Sequence, residues 1–201
     1  MINKHFSQAC ENNKRPILKV LKEVFSCNKH VLEIGSGTGQ HAVFFGQHLP
    51  HLTWQTSDLA MNHQGINFWL DEKDCSNVQR PIVIDLNKAW AMPQTNLPVD
   101  GLYTANTLHI ISLPLVVKFF EGIAQNLAPE ATVCIYGPFN YQGKFTSESN
   151  AKFDLWLKSR DKNSGIRDIE EILLLAHSAG LKLIDDHMMP ANNRLIVFSK
   201  I

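Results

Sequence analysis

Three glycines stand at alternate positions in the stretch VLEIGSGTGQHA, residues 31–42: Gly35, Gly37 and Gly39. Glycine loses more conformational entropy on folding than any other residue. Three of them behind an apolar run therefore mark backbone that must turn left-handed or let something approach closely. A glycine-rich turn between a strand and a helix does both, and the helix that follows offers unpaired N–H groups to a nucleotide-like ligand. The spacing narrows the choice. A dinucleotide fingerprint reads GxGxxG, whereas here the third glycine comes one residue early. An acid, Glu33, precedes the first glycine by two positions, and two more, Asp58 and Asp85, close later apolar runs.

These residues need elements to hold them. Residues 30–34 read as a buried strand, and residues 40–48 as a helix opening straight out of the glycine turn. Residues 52–57 alternate as a second strand ending at Asp58, residues 61–70 form a helix, and residues 81–84 a third strand ending at Asp85. A fourth strand, 101–105, runs into the polar turn Asn106-Thr107, and Ser112 caps a helix reaching about residue 127. Residues 132–136 make a fifth strand. Upstream, residues 16–25 predict a helix with Pro16 in its first turn. Downstream, Asp168 and Glu171 form an Asp variant of the capping box before a helix that Gly180 ends. Residues 181–185 and 195–199 are the last strands, joined by about nine residues, too few for a helical crossover, so they pair antiparallel.

The alternation predicts a doubly wound α/β sheet, seven-stranded and mostly parallel with an antiparallel last strand. Residues 137–165 break the rhythm and carry Phe139, Tyr141, Phe145, Phe153 and Trp156. Part of this segment is helical by its spacing. A connection this long is either a lid-like insertion over a site or an aromatic stripe packed on the core. The 201 residues suit one domain bearing that insertion.

Composition excludes several classes. Lys plus Arg equals Asp plus Glu, 19 each, so no global charge favours nucleic acid or a membrane surface. The four cysteines form no CxxC pair, which argues against a zinc site or disulfide scaffold and suits a reducing cytoplasm. No two of the nine histidines show the spacing of a zincin motif, and no metal is expected. The N-terminal residues lack the apolar core of a signal peptide, and no apolar run approaches a membrane span, so a cytoplasmic protein is expected.

With Glu33 in front of the alternate glycines, the stretch resembles the first motif of the class I (Rossmann-like) S-adenosylmethionine-dependent methyltransferases, E/D-x-G-x-G-x-G. The closer resemblance is to a poorly characterised methyltransferase-like group, and it covers nearly the whole chain. It runs through NKRPIL, VLEIGSGTGQHA, LPHLTWQTSDL, ANTLHI, YGPFN, FTSESNAKFD, GIRDIE and PANN. It implies a cofactor, S-adenosyl-L-methionine, held by Glu33, Gly35, Ser36, Gly37, Thr38, Gly39, Asp58, Leu59, Asp85, Leu86 and Asn106. Asp58, 19 residues beyond Gly39, would accept hydrogen bonds from both ribose hydroxyls. Asp85 would face the adenine amine, Glu33 would steady the loop and the cationic methionine end, and Asn106 would lie beside the sulfonium. Each acid has a plainer reading as a strand-end or helix-cap residue; together with the glycines they favour the cofactor.

Methyl transfer from a sulfonium is an in-line displacement, so the protein chiefly supplies alignment and a dry site. A general base is needed only for a protonated nucleophile, and His109 is the candidate, unless it only hydrogen-bonds its own loop. Asn140, Tyr141, Arg167, Asn192 and Asn193 are candidate substrate contacts. Arg167 has a plainer reading as an ion-pair partner of Asp168, and the two asparagines as turn formers. The expected substrate is a small molecule rather than nucleic acid, its identity and the methylated atom open, as is the oligomeric state. The alternative reading is a non-catalytic module of the same fold that binds S-adenosylmethionine or a protein.

Overall fold

The computed structural model describes residues 5–73 and 75–201. The chain divides into two compact units, Met1–Thr104 and Ala105–Ile201.

In the first unit, α1 (Gln8–Val24) precedes β1 (His30–Ile34), α2 (Gln40–His48), β2 (Thr53–Asp58), α3 (His63–Asp71), β3 (Val78–Val83) and β4 (Gly101–Ala105). β1 pairs in parallel with β2, from His30 opposite Thr53 to Ile34 opposite Ser57, and with β4 on its other side. β3 adds to β2 in parallel. Every residue of β1 is buried, which explains why Val31, Leu32 and Ile34 are apolar on both of its faces. Trp54, Phe45 and Tyr103 fill the core as a ring cluster, with centroids 5.5 Å apart for Phe45–Trp54 and 5.6 Å for Trp54–Tyr103. Each such pair adds roughly 0.5–1.5 kcal/mol beyond area burial.

The second unit holds α4 (Leu113–Asn126), β5 (Thr132–Gly137), β6 (Phe139–Asn140), α5 (Glu148–Arg160), β7 (Arg167–Asp168), α6 (Ile169–Ser178), β8 (Leu181–Met189) and β9 (Asn193–Lys200). β9 runs antiparallel to both β5 and β8. The main sheet has seven strands in the order β3-β2-β1-β4-β5-β9-β8, and β6 and β7 form a separate parallel pair.

The doubly wound, mostly parallel sheet matches the expectation from sequence, with four corrections. α1 begins at Gln8, not residue 16, because Ser7 caps it by accepting from the Cys10 N–H; Pro16 is therefore interior. The polar first half is stabilised by packing, since Asn13 is buried against His41 with its Oδ1 2.7 Å from the ring Nε2. The third strand lies at Val78–Val83, earlier than its apolar residues suggested, because it follows the register of Trp54 opposite Val78. The last two strands are longer than expected, and only a 3-10 turn at Pro190–Asn192 joins them. Asp168 does sit at the N-cap of α6, but its side chain makes no capping hydrogen bond. Its backbone belongs to the β6–β7 ladder, which directs the carboxylate elsewhere.

Within residues 137–165, α5 supplies the expected helix. Its aromatics divide between the two readings: Phe139 is buried, whereas Phe145 and Trp156 are exposed.

Candidate functional site

Gly35, Gly37 and Gly39 all have positive φ, at 72°, 57° and 85°. The three differ in what surrounds them. A Cβ on Gly39 would lie 3.1 Å from Ile66 Cα and 3.2 Å from its carbonyl oxygen, so this glycine permits close packing on α3. A Cβ on Gly37 would meet nothing nearer than the Gly35 carbonyl at 4.0 Å. Gly37 is exposed and leaves open space above the loop.

The loop is fastened from both sides. The Ser36 N–H donates to the Ser57 carbonyl (2.9 Å), the Ser57 N–H donates to Ser36 Oγ (3.1 Å), and Ser57 Oγ donates to the Glu33 carbonyl (2.6 Å). The Gly37 N–H donates to Asp58 Oδ2 at 2.7 Å. Asp58 Oδ1 accepts from the Leu59 N–H and from Asn62 Nδ2, both at 2.7 Å. The acid that the sequence places at the end of the second strand thus touches the glycine turn. Leu59 beside it is exposed, an apolar surface next to a carboxylate.

Glu33 is 2 % exposed, and Ser36 Oγ (2.9 Å) and Trp54 Nε1 (3.1 Å) both donate to its Oε2. Burial pushes its carboxyl up to about 7; the bonds from Trp54 and Ser36 oppose that shift and the nearby Asp58 charge adds to it. Thr38 Oγ1 donates to Gln40 Oε1 (3.1 Å), which also accepts from the Ser7 N–H (2.6 Å), and Gln40 Nε2 donates to Glu11 Oε1 (3.0 Å). Gln40 therefore ties the loop to α1. Neither Gln40 nor Ser57 stands out in the sequence, because their roles depend on partners distant along the chain.

Asp85 closes a small turn, accepting from the Asn87 N–H (3.0 Å), with Lys88 Nζ at 3.4 Å. The Asn87 backbone bond leads in holding its carboxyl below the usual range. The half-buried Leu86 lies within this turn.

In the second unit, Asn106 adopts φ 56° with its N–H donating to the Tyr136 carbonyl at 2.8 Å. Left-handed asparagine at a strand end is mildly strained backbone of a kind that gathers at functional sites. His109 is buried, its ring edge-on to Phe153 at 5.5 Å. Burial, followed by the Arg167 charge, pulls its pKa down to about 4, so the ring is neutral and a weak base. Arg167 donates from Nε to the Leu108 carbonyl (3.1 Å) and from Nη2 to those of Ile111 (2.5 Å) and Asn163 (2.9 Å). Its guanidinium thus holds the loop carrying His109, and no ion pair with Asp168 is formed among the described residues.

The remaining candidates separate. Tyr141 Oη donates to Asp186 Oδ2 (2.7 Å), and Arg194 Nε donates to Asp186 Oδ1 (2.7 Å). Burial and that acid raise the phenol's pKa. Asn193 Nδ2 donates to the carbonyls of Pro190 (3.2 Å) and Ala191 (3.3 Å), which is the turn-forming role. Asn192 donates to Ser149 Oγ at 3.3 Å, tying the turn to α5. Asn140 is buried with Oδ1 unpartnered, and Oδ1 of Asp168, which the sequence suggested as a cap or a partner of Arg167, is likewise buried and unpartnered.

Among the described residues no group of three or more His, Cys, Asp or Glu could hold a metal ion, and no helix is long and apolar enough to cross a membrane.

A family model described as "Protein of unknown function (DUF938)" matches residues 4–200. Among solved structures, an O-methyltransferase family protein from Burkholderia thailandensis superposes with a TM-score of 0.80 at 17% identity, over 93% of this chain and 56% of that one. An O-methyltransferase family 2 protein from Planctomyces limnophilus, solved with apigenin, also scores 0.80 at 17% identity, over 96% and 58%. The O-methyltransferase NcsB1 of neocarzinostatin biosynthesis, solved with S-adenosyl-L-homocysteine and 1,4-dihydroxy-2-naphthoic acid, scores 0.77 at 16% identity, over 96% and 55%. The chain spans little more than half the length of these structures, and it has the methyltransferase fold.

Proposed function

From a chain that belongs to the DUF938 family, proteins of unknown function, and has the methyltransferase fold, we propose an S-adenosylmethionine-dependent methyltransferase acting on a small molecule. The observation that carries the reading is the bond from the exposed Gly37 N–H to Asp58, with open space above the glycine. The donor set fits the cofactor. Asp58 would take the ribose hydroxyls with its remaining lone pairs, Leu59 would lie against the adenine, and Glu33 Oε1 would accept from the methionine ammonium. Gly35, Ser36, Gly37, Thr38 and Gly39 would line the backbone side, with Asp85 and Leu86 completing the set.

The bound cofactor supplies the activated methyl group. The chain's own contribution is binding, orientation and exclusion of water. His109, neutral at physiological pH, would orient the loop or accept a hydrogen bond, rather than remove a proton. The small-molecule assignment is supported by the apigenin and naphthoic acid ligands of the similar structures and by a net charge of zero, which gives no electrostatic handle on nucleic acid.

Calorimetric titration with S-adenosylhomocysteine tests the reading, with NAD as the control. Binding of the first and not the second is expected. Asp58→Ala should weaken it by roughly 1–3 kcal/mol, the loss of a charged hydrogen-bond partner. Unchanged affinity in a variant folded by circular dichroism removes Asp58 from the site, and binding without transfer of labelled methyl to any small-molecule pool leaves a non-catalytic module.

A further inference from the structure

β6 and β7 pair in parallel with Phe139 opposite Arg167 and Asn140 opposite Asp168. Partners in a parallel ladder stand about 5 Å apart and project from the same face. Asn140 and Asp168 therefore share one face, and Phe139 and Arg167 take the other.

Both side chains on the first face carry an unmet acceptor. Asn140 is 9 % exposed, and its Oδ1 is buried without a partner. Its orientation is set, because Nδ2 donates to the Ile166 carbonyl at 3.4 Å; exchanging the two atoms would bring two carbonyl oxygens together. Asp168 Oδ1 is likewise buried and unpartnered. This carboxylate forgoes the N-cap of α6, where it could accept from the first turn's N–H donors. The ladder is also braced from behind: the Ile166 N–H donates to Asp154 Oδ1 at 2.8 Å, and Asp154 is itself buried.

Two adjacent acceptors, one of them anionic, call for one group with at least two N–H or O–H donors. A substrate hydroxyl donates once and leaves one oxygen unmet. A divalent cation asks for six or more oxygens, far more than this pair offers. An ammonium donates three times and also balances the carboxylate's charge, which a water molecule does not.

We propose that Asn140 Oδ1 and the Asp168 carboxylate form the subsite that anchors an amino group of the substrate. The proposal deepens the methyltransferase reading and rests on it for the word substrate. An ammonium held this way has no lone pair with which to attack a methyl group. The subsite is therefore an anchor, and the methylated atom lies elsewhere on the same molecule.

The test is an NMR titration of the full chain at neutral pH, following the Asn140 side-chain amide. The probes are benzylammonium, benzyl alcohol and benzoate. A saturable shift with benzylammonium alone is expected. Asp168→Asn, which retains an N-capping side chain, should weaken it about tenfold, the equivalent of one charge-assisted hydrogen bond. Asp168→Ser, another N-cap former, serves if the first variant fails to fold. Equal shifts with the alcohol, no shift with the amine, or undiminished amine binding in the variant each overturn the proposal, the second meaning that water satisfies the pair. S-adenosylhomocysteine calorimetry on the same samples separates the two claims. Cofactor binding without amine binding sinks the anchor alone, and loss of cofactor binding in the wild-type chain sinks the methyltransferase reading.

Discussion

In the glycine loop, Ser36 bonds to Glu33 and Ser57, Asp58 accepts three hydrogen bonds, and Thr38 donates to Gln40. In the β6–β7 ladder, Asn140 uses one polar atom and leaves the other buried and unmet, as does Asp168 beside it. Both are short polar segments at strand ends, but one is tied up by its own chain and the other keeps acceptors in reserve. Under the two proposals above, the difference separates two tasks. A loop that presents backbone N–H groups to a ligand must already be rigid, so its side chains are consumed in holding it. A surface that discriminates among ligands must keep side-chain atoms unsatisfied until the right donor arrives.

The sharpest way to break the first half of that contrast is Gly39→Val. Left-handed strain at φ 85° and a Cβ 3.1 Å from Ile66 backbone should act together. The expected loss is about 4 kcal/mol of unfolding free energy in urea. Gly37→Ala, with open space around it, should lose only about 1 kcal/mol of left-handed strain. Equal losses at the two positions would mean that the loop's rigidity does not come from contact with α3.

Next in size is a pair of opposite pH slopes. Glu33 has a folded pKa raised from 4.5 to about 7, so the native state holds its proton more tightly and stability falls as pH rises through that window. Glu33→Gln should remove that fall, about 3 kcal/mol across the window. His109 has a folded pKa lowered from 6.5 to about 4, so the unfolded chain takes up the proton first and stability falls as pH drops below 6.5. His109→Asn should flatten that limb by a similar amount, about 3 kcal/mol. Denaturant melts of wild type and variants between pH 4 and 8 read both slopes as differences, which cancels the contribution of His41, also pulled down to about 4 by burial. A Glu33→Gln difference that is flat with pH would show the carboxyl to be well solvated.

The smallest effect sharpens the other side. Asn193→Ala removes two long bonds within its own turn and should lower stability by less than about 1 kcal/mol. S-adenosylhomocysteine affinity should be unchanged. A large loss of substrate turnover with intact stability would restore Asn193 to the substrate contacts.

The residues that were legible in the sequence share a physical property: their signal is local. Alternate glycines behind an apolar run announce a left-handed turn whatever surrounds them, and Gly35, Gly37 and Gly39 all take positive φ. Asp58 was legible for the same reason, as an acid closing an alternating strand. Ser57 and Gln40 were not, because a serine or glutamine advertises nothing until its partner 20 or 30 residues away arrives, as Glu33 and Ser7 do here. Two of the backbone carbonyls that Arg167 meets, those of Leu108 and Ile111, were hidden for a related reason, since both come from a distant segment of the chain.

By itself, the sequence determined the alternation of the main sheet's strands and helices, the mostly parallel sheet with its antiparallel last strand, and the left-handed glycine turn, because periodicity and backbone chemistry act over a few residues. Tertiary structure decided that the helix before β1 starts at Gln8, that Glu33 is buried enough to hold its proton to about 7, and that Asp168 leaves its cap to stand beside Asn140. Each of those depends on which distant groups exclude water or supply a donor, and no spacing along the chain encodes that.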